Sequence, residues 1–321
     1  MSKVRISLLV LSCLGIFFAS LFLSPSVMSP FTMSSLDKEI LVSIRLPRVL
    51  VAALMGIALG ASGAVLQGIL KNPLADPYIL GISSGASLTA ALGLVSGIYL
   101  FGQFSIPFTA FAGAAAASMM VGAFGWKSGR LLPERLLLAG VGMSFLFYAL
   151  LMLLISVSSH EGMRRAVLWI FGDLSMADWS LIPWGVLFIV AGLGISLSRA
   201  KALNALMLGD ELAHSLGFSV HSERLLLFTS IALMTSASVS LGGTIGFIGL
   251  LMPHIVRFML GSYNRILIPV SALCGGAFLC LADMIGKSVM SPVEIPSGIV
   301  TALIGSPYFL YLLRKKDVLG Q

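Results

Sequence analysis

The stretch VLVAALMGIALGASGAVLQGIL, Val49 to Leu70, carries no Asp, Glu, Lys or Arg. An α-helix needs about 20 mainly apolar residues to cross the hydrocarbon core of a bilayer. The stretch therefore reads as a membrane span, and its glycines add to that reading. Gly56 and Gly60 stand four residues apart. This spacing puts two small residues on one helix face, where a neighbouring backbone can approach closely. Such a face suits a tight helical bundle.

The rest of the chain repeats the pattern. Of its 321 residues 58% are hydrophobic and only 10% are charged, against about 25% charged in a soluble domain. So few charges cannot clothe a water-exposed surface, and the class is integral membrane. Ten candidate spans follow: Ile6–Leu23, Val49–Leu70, Tyr78–Leu100, Phe104–Trp126, Leu136–Ser159, Leu181–Ser198, Leu225–Leu241, Gly242–Val256, Ile266–Ala282 and Ser297–Leu313. The eighth is short and interrupted by Gly and Pro, and no sharp boundary divides it from the seventh. Lys3 and Arg5 precede the first span, as they would a signal peptide. Its apolar run is long and no A-x-A site follows, so it reads as an uncleaved span. Cys13, Cys274 and Cys280 lie in apolar runs and read as packed small hydrophobes, and the 16 methionines read as core filling.

Ten spans put both termini on one side. Placing that side in the cytoplasm puts most of the 20 Lys and Arg residues there, leaving Lys38, Arg45, Arg48, Arg164, Arg165 and Lys287 outside. This agrees with the positive-inside rule. The net charge of +7 is then a topology signal, with no nucleic-acid partner expected.

The spans as delimited hold no carboxylate. Proton- and sodium-driven transporters usually keep an Asp or Glu in the membrane to carry the coupling charge. Uphill transport by this chain would therefore draw its energy from another subunit, with a secondary transporter as the alternative. Gly286-Lys287-Ser288 ends like a phosphate-binding loop, but the pattern needs a glycine where Leu281 stands, and no other segment completes it. Gly60-Ala61-Ser62-Gly63 matches the G-x-S-G pattern of rhomboid-type intramembrane proteases, with His254 as the only histidine in a span. Against that, Ser62 on a glycine-rich helix reads as a small packing residue. The remaining histidines make no metal-ligand spacing.

Two loops are unusually organised. In the cytoplasmic loop, about 199–224, Leu208, Leu212 and Leu216 recur at i, i+4 and i+8. Asp210 and Glu211 sit in the first turn, where acids suit the helix dipole, and Gly217 is a natural stop. The spacing predicts one short amphipathic helix over 206–217, either packed on the membrane surface or docked into a partner's groove. Outside, Arg45-Leu46-Pro47-Arg48 puts two arginines where the chain enters the bilayer. They could anchor in the headgroups or meet an acidic partner.

In order along the chain stand Arg45-Leu46-Pro47-Arg48, Gly63-Ala64-Val65-Leu66-Gln67, Asn72-Pro73-Leu74-Ala75-Asp76-Pro77 and Leu80-Gly81-Ile82-Ser83-Ser84-Gly85-Ala86. Leu136-Leu137-Leu138-Ala139-Gly140, Leu208-Gly209-Asp210-Glu211, the run Gly246 to Arg257, Ala282-Asp283 and the run Glu294 to Pro307 follow. The ordered set resembles the FecCD-type permeases, membrane subunits of ABC importers for ferric siderophores, haem and cobalamin. The resemblance covers essentially the whole chain.

It implies an all-α, polytopic, ten-helix type II importer permease, with residues 1–321 forming one transmembrane domain in a bacterial inner membrane. It implies a homodimer or a pair of related permeases, two ATPase subunits that hold the ATP and Mg, and a periplasmic or lipid-anchored substrate-binding protein. Besides lipid, this chain would bind no cofactor or metal of its own and would have no catalytic residue. The resemblance assigns coupling to the ATPase to Asp210, Glu211, Ala213, Leu216 and Gly217. It assigns docking of the binding protein to Arg45, Arg48 and Lys287, the last standing where Arg is usual. Lysine keeps the charge but loses the bidentate fork. It places the inner gate at Asn72 and Leu74 and at the entrance to span five, where Leu132, Pro133 and Glu134 replace the small hydroxyl residues of some members.

Overall fold

The computed structural model describes residues 2–23, 34–97, 99 and 101–314. The extreme ends of the chain, expected in the cytoplasm, lie outside these residues, as does Leu100, the expected end of the third span.

The stretch from Val49 to Leu70 falls within α3 (Leu46–Leu70), entered with Pro47 in its first turn. Proline there forfeits an N–H that has no helical partner in any case. Before it, α2 (Ser35–Ile40) opens with a capping box between Ser34 and Asp37, and one wide turn, Leu41–Arg45, carries the helix on into α3. The other elements are α1 (Ser2–Phe22), α4 (Ile82–Ser96), α5 (Ser105–Gly125), α6 (Pro133–Ser156), α7 (His160–Ile170), α8 (Leu181–Ser198), α9 (Ala200–Leu208), α10 (Asp210–Ser215), α11 (Val220–Gly242), α12 (Ile248–Leu260), α13 (Asn264–Ser288) and α14 (Ser297–Arg314). A two-stranded hairpin, β1 (Trp126–Lys127) with β2 (Arg130–Leu131), closes the turn between α5 and α6.

Among the described residues, 7 helices are long and apolar enough to cross a membrane, and three shorter apolar helices accompany them: Ile82–Ser96, Ile248–Leu260 and Ser297–Tyr311. Helix α3 is the axis of the bundle, packed against α13, α11, α12 and α8. Close approach depends on glycine where backbones touch. A Cβ on Gly56 would strike the Gly275 carbonyl, and one on Gly63 would strike the carbonyl of Gly249. In lipid, where apolar side chains gain little by leaving the solvent, such contacts drive helix association. The pairs α4–α5 and α8–α11 complete the bundle, with α1 on α13 and α6 against α4 and α5. Leu138, Phe145 and Leu153 of α6 and Leu187 of α8 remain exposed.

Three expectations are corrected. The seventh and eighth spans do not abut at Leu241 and Gly242: α11 runs to Gly242, the chain turns through Gly243 (φ +79) and Phe247 (φ 70), and α12 begins only at Ile248. Hydropathy could not find that break because both sides are equally apolar. The spans are also not free of carboxylates. Helix α13 continues past Ala282 to Ser288 and takes in Asp283, which is 2% exposed. Finally, the helix expected over 206–217 is two helices, α9 and α10, broken at Gly209 (φ 138).

Candidate functional sites

At one end of the bundle, the one expected to face outward, the start of α3, the end of α13 and the start of α14 converge on Asp283. Arg48 grips this carboxylate with Nε (3.2 and 3.1 Å) and Nη2 (2.9 Å). Lys287 Nζ reaches it from one helical turn away at 3.0 Å, and the Ser297 hydroxyl donates to it at 3.0 Å. The free edge of the guanidinium, Nη1, donates to Glu294 at 2.8 Å. A carboxylate this buried is tolerated because two cations and a hydroxyl satisfy it. The expected docking cations are thus inside the fold. Arg45 is buried and donates to the Leu21 carbonyl at 3.0 Å, and Lys287 is 5% exposed. The i,i+4 pairing of Asp283 with Lys287 was legible in the sequence. The roles of Arg48, Glu294 and Ser297 were not, because these residues lie outside α13, on α3, in the connection after α13 and at the start of α14.

At the opposite end, α10 hangs from α11 by an ion pair between Arg224 Nη2 and Asp210. Arg224 is buried and also reaches the Leu131 carbonyl of the hairpin at 3.5 Å. Arg199 meets Glu223 at 3.2 Å. Asn204 of α9 accepts from both the backbone and the side chain of Asn264, tying the segment to α13. The helix closes at Gly217 (φ +85), whose N–H donates to the His214 carbonyl, while Phe218 donates to Ala213. This capping satisfies carbonyls that the helix end leaves over. The expected coupling residues divide by face. Ala213 is fully buried and fixes the helix, whereas Asp210, Glu211, Leu216 and Gly217 are exposed, and Leu208 and Leu212, outside that set, are exposed beside them. A cavity of about 550 Å³ with a mixed lining opens between α10, the hairpin and the start of α11, bordered by Arg130, Asp210, His214 and His221 as well as Leu131, Phe218 and Val220.

Between α3 and α4 the chain folds into a compact loop. The Asn72 carboxamide accepts from the Leu74 N–H at 2.9 Å, and the Asp76 carboxylate accepts from the Tyr78 N–H at 2.9 Å. Gln67 holds the loop from below. Its amide N–H group is shared among the carbonyls of Ala75, Gly249 and Leu250 (3.2–3.3 Å), and its oxygen accepts from Arg257 at 2.9 Å. One side chain therefore ties α3, the loop and α12 together, a role that its place in a glycine-rich motif did not reveal. The other expected gate residues stand at the start of α6, Pro133 half-buried in its first turn and Glu134 exposed. The loop meets α6 further along, where Ile79 and Leu80 pack on Gly140. Ser62 is fully buried and donates to its own helix at Leu59, so it is not poised as a nucleophile.

The break between α11 and α12 adjoins this loop. The Ile245 N–H donates to the Tyr78 hydroxyl at 3.1 Å, and the Thr244 hydroxyl donates to the Ile170 carbonyl at the end of α7 at 2.6 Å. An apolar cavity of about 450 Å³ lies alongside, between the end of α7 and α14.

Comparison with known proteins follows the same outline. The family model of the FecCD transport family matches residues 7–315. The iron(3+)-hydroxamate import system permease protein FhuG of Bacillus subtilis is 39% identical over 289 residues, spanning 88% of this chain and 85% of that protein. The hemin transport system permease protein HmuU of Yersinia pestis is 40% identical over 282 residues, 87% of this chain and 84% of the other. The cobalamin import system permease protein BtuC of Halobacterium salinarum is 42% identical over 278 residues, 86% and 73% respectively. A solved inward-facing structure of a metal-chelate type ABC transporter superposes with a TM-score of 0.88 at 30% identity, covering 98% of this chain and 99% of that one.

Proposed function

The chain belongs to the FecCD transport family, and from that premise we infer that it is the membrane-spanning permease of an ABC importer that takes up a metal chelate. The observation that carries this is the match over residues 7–315, joined to 39–42% identity with permeases for hydroxamate, haem and cobalamin. The chain is no enzyme, since ATP hydrolysis belongs to a separate subunit. Among cargoes, a ferric siderophore is our first reading, with haem and cobalamin next.

The working parts follow from the two ends. The exposed face of α10, with Glu211, Leu212 and Leu216, is proposed to seat in a cleft of the ATPase, with Asp210, Ala213 and Gly217 fixing its attitude. Closure of two ATPases on ATP and Mg would push α10, and the ties to α11 and α13 would carry that push into the bundle as rigid-body rocking. Arg45, Arg48 and Lys287 are proposed to receive the carboxylates of a periplasmic or lipid-anchored binding protein. Asn72 and Leu74, with Pro133 and Glu134, would border the inner gate. A second permease copy would complete the pathway in a bacterial inner membrane.

The test is reconstitution. The chain is co-expressed with the ATPase and binding protein from neighbouring coding sequences and placed in proteoliposomes. ATP-dependent uptake of one labelled chelate among ferric siderophore, haem and cobalamin is expected. Uptake that persists without the ATPase would favour a secondary transporter instead.

A further inference from the structure

The outer cluster is electrically closed. Arg48 and Lys287 face Asp283 and Glu294, two cations against two carboxylates. An acidic partner arriving there finds its place taken. The four groups are not equally held, however. The side chains of Lys287 and Asp283 are 5% and 3% exposed, and Asp283 also binds Arg48 and Ser297. Drawing Asp283 away would strand the buried Lys287 and leave Arg48 with Glu294 alone, which is strongly unfavourable. Glu294 is 45% exposed and holds Arg48 by the Nη1 edge, which Asp283 does not use. It sits in the connection between α13 and α14, where Val289, Met290 and Val293 are 65%, 58% and 64% exposed. Apolar side chains around a half-exposed charge pair have the make-up of a protein contact surface.

We propose that Glu294 is a place-holder: a carboxylate of the soluble binding protein displaces it from Arg48 Nη1, while Asp283 keeps the Nε and Nη2 edge. This rests on the reading of Arg48 as a docking residue. The exchange replaces one carboxylate with another on the same cation, so no buried charge is left unpaired at either stage. Because Glu294 is tethered beside Arg48, it competes at a high local concentration and makes docking reversible. Lys287, counted above among the docking cations, is thereby reassigned and takes no direct part in docking. It is a positioning residue that holds Asp283, and through it Arg48.

The experiment uses the whole transporter in nanodiscs and the binding protein identified by co-expression. Glu294→Gln is expected to tighten binding about 5–10-fold and to steepen its salt dependence, because one positive charge is uncovered. In the free transporter the same variant should speed hydrogen exchange over residues 289–296 and leave 283–287 protected. Affinity equal to or weaker than that of the unaltered protein overturns the place-holder, and so does unchanged exchange. Arg48→Gln, with Arg48→Lys as the milder variant, tests the reading beneath it. If both bind normally, Arg48 is not a docking residue, whatever Glu294 does. Lys287→Gln should raise exchange at 289–296 before any partner is added. A lysine that only touched the partner would leave that exchange unchanged.

Discussion

Gly56 and Gly275 meet back to back across α3 and α13, so closely that a Cβ on either would collide with the other's carbonyl oxygen. Neither backbone can yield without moving a whole helix. Gly56→Ala and Gly275→Ala should each lower stability by about 1–3 kcal/mol through overpacking. Gly194 of α8 has open space around it, so Gly194→Ala should be neutral or stabilise by about 0.5–1 kcal/mol through the helix preference of alanine. Thermal unfolding of the purified protein in detergent separates the two cases. Equal melting temperatures would mean that the close contact does not set the packing.

Asp283 should be the most sensitive member of the outer cluster. Asp283→Asn leaves Arg48 with Glu294 alone and removes the carboxylate that Lys287 pairs with. A cost of about 3–5 kcal/mol is expected. Lys287→Met leaves Asp283 with both its Arg48 and Ser297 contacts and should cost clearly less. Yield of folded protein and unfolding temperature give the order, and a larger loss for Lys287→Met would contradict it.

Gln67→Leu keeps the bulk of the side chain and removes its hydrogen bonds. The carbonyls of Ala75, Gly249 and Leu250 and a nitrogen of Arg257 lose a partner together. Each buried group left unsatisfied costs about 1–3 kcal/mol. Hydrogen exchange should rise first in residues 72–81 and at the start of α12. Exchange that rises evenly over the chain would mean that Gln67 does not act as a local staple.

The coupling reading separates attachment from contact. Asp210→Asn loosens α10 from Arg224 without altering its exposed face, while Leu212→Asp alters the face and keeps the attachment. Both should reduce uptake at least about fivefold, the lower range of a typical coupling energy. ATP hydrolysis should persist in Asp210→Asn and decline in Leu212→Asp, where the ATPase no longer seats. Uptake and hydrolysis measured on the same proteoliposomes distinguish the two, and full uptake in either variant would remove its assigned role.

The apolar spans were legible because hydropathy reports what lipid demands of each segment separately. The acidic start of α10 was legible for a similar reason, since it depends on neighbouring residues alone. What the sequence hid depends on distance or on backbone angle. The leucines at 208, 212 and 216 fit one helix, yet Gly209 at φ 138 splits it. Lys287 could be paired with Asp283 by counting one turn, but Arg48 comes from 235 residues away. That pairing changes the character of two of the expected docking cations, Arg48 and Lys287, from a surface array to members of one ion-paired cluster.

The burial of α3 has a consequence for how such a chain can vary. Within the segment Ser35–Leu70, 78% of the most apolar window is enclosed by the chain itself, against 17% for α6 and 11% for α1. Substitutions on α1 and α6 need satisfy only lipid or a neighbour, for which many apolar side chains serve equally. On α3 nearly every position must fit a fixed backbone a few ångströms away. A saturation library scored for growth on a chelated metal should therefore show an uneven landscape, a narrow intolerant column along α3 and its α13 partner inside a permissive shell. Adaptation to new cargo would have to come from that shell and from the loops.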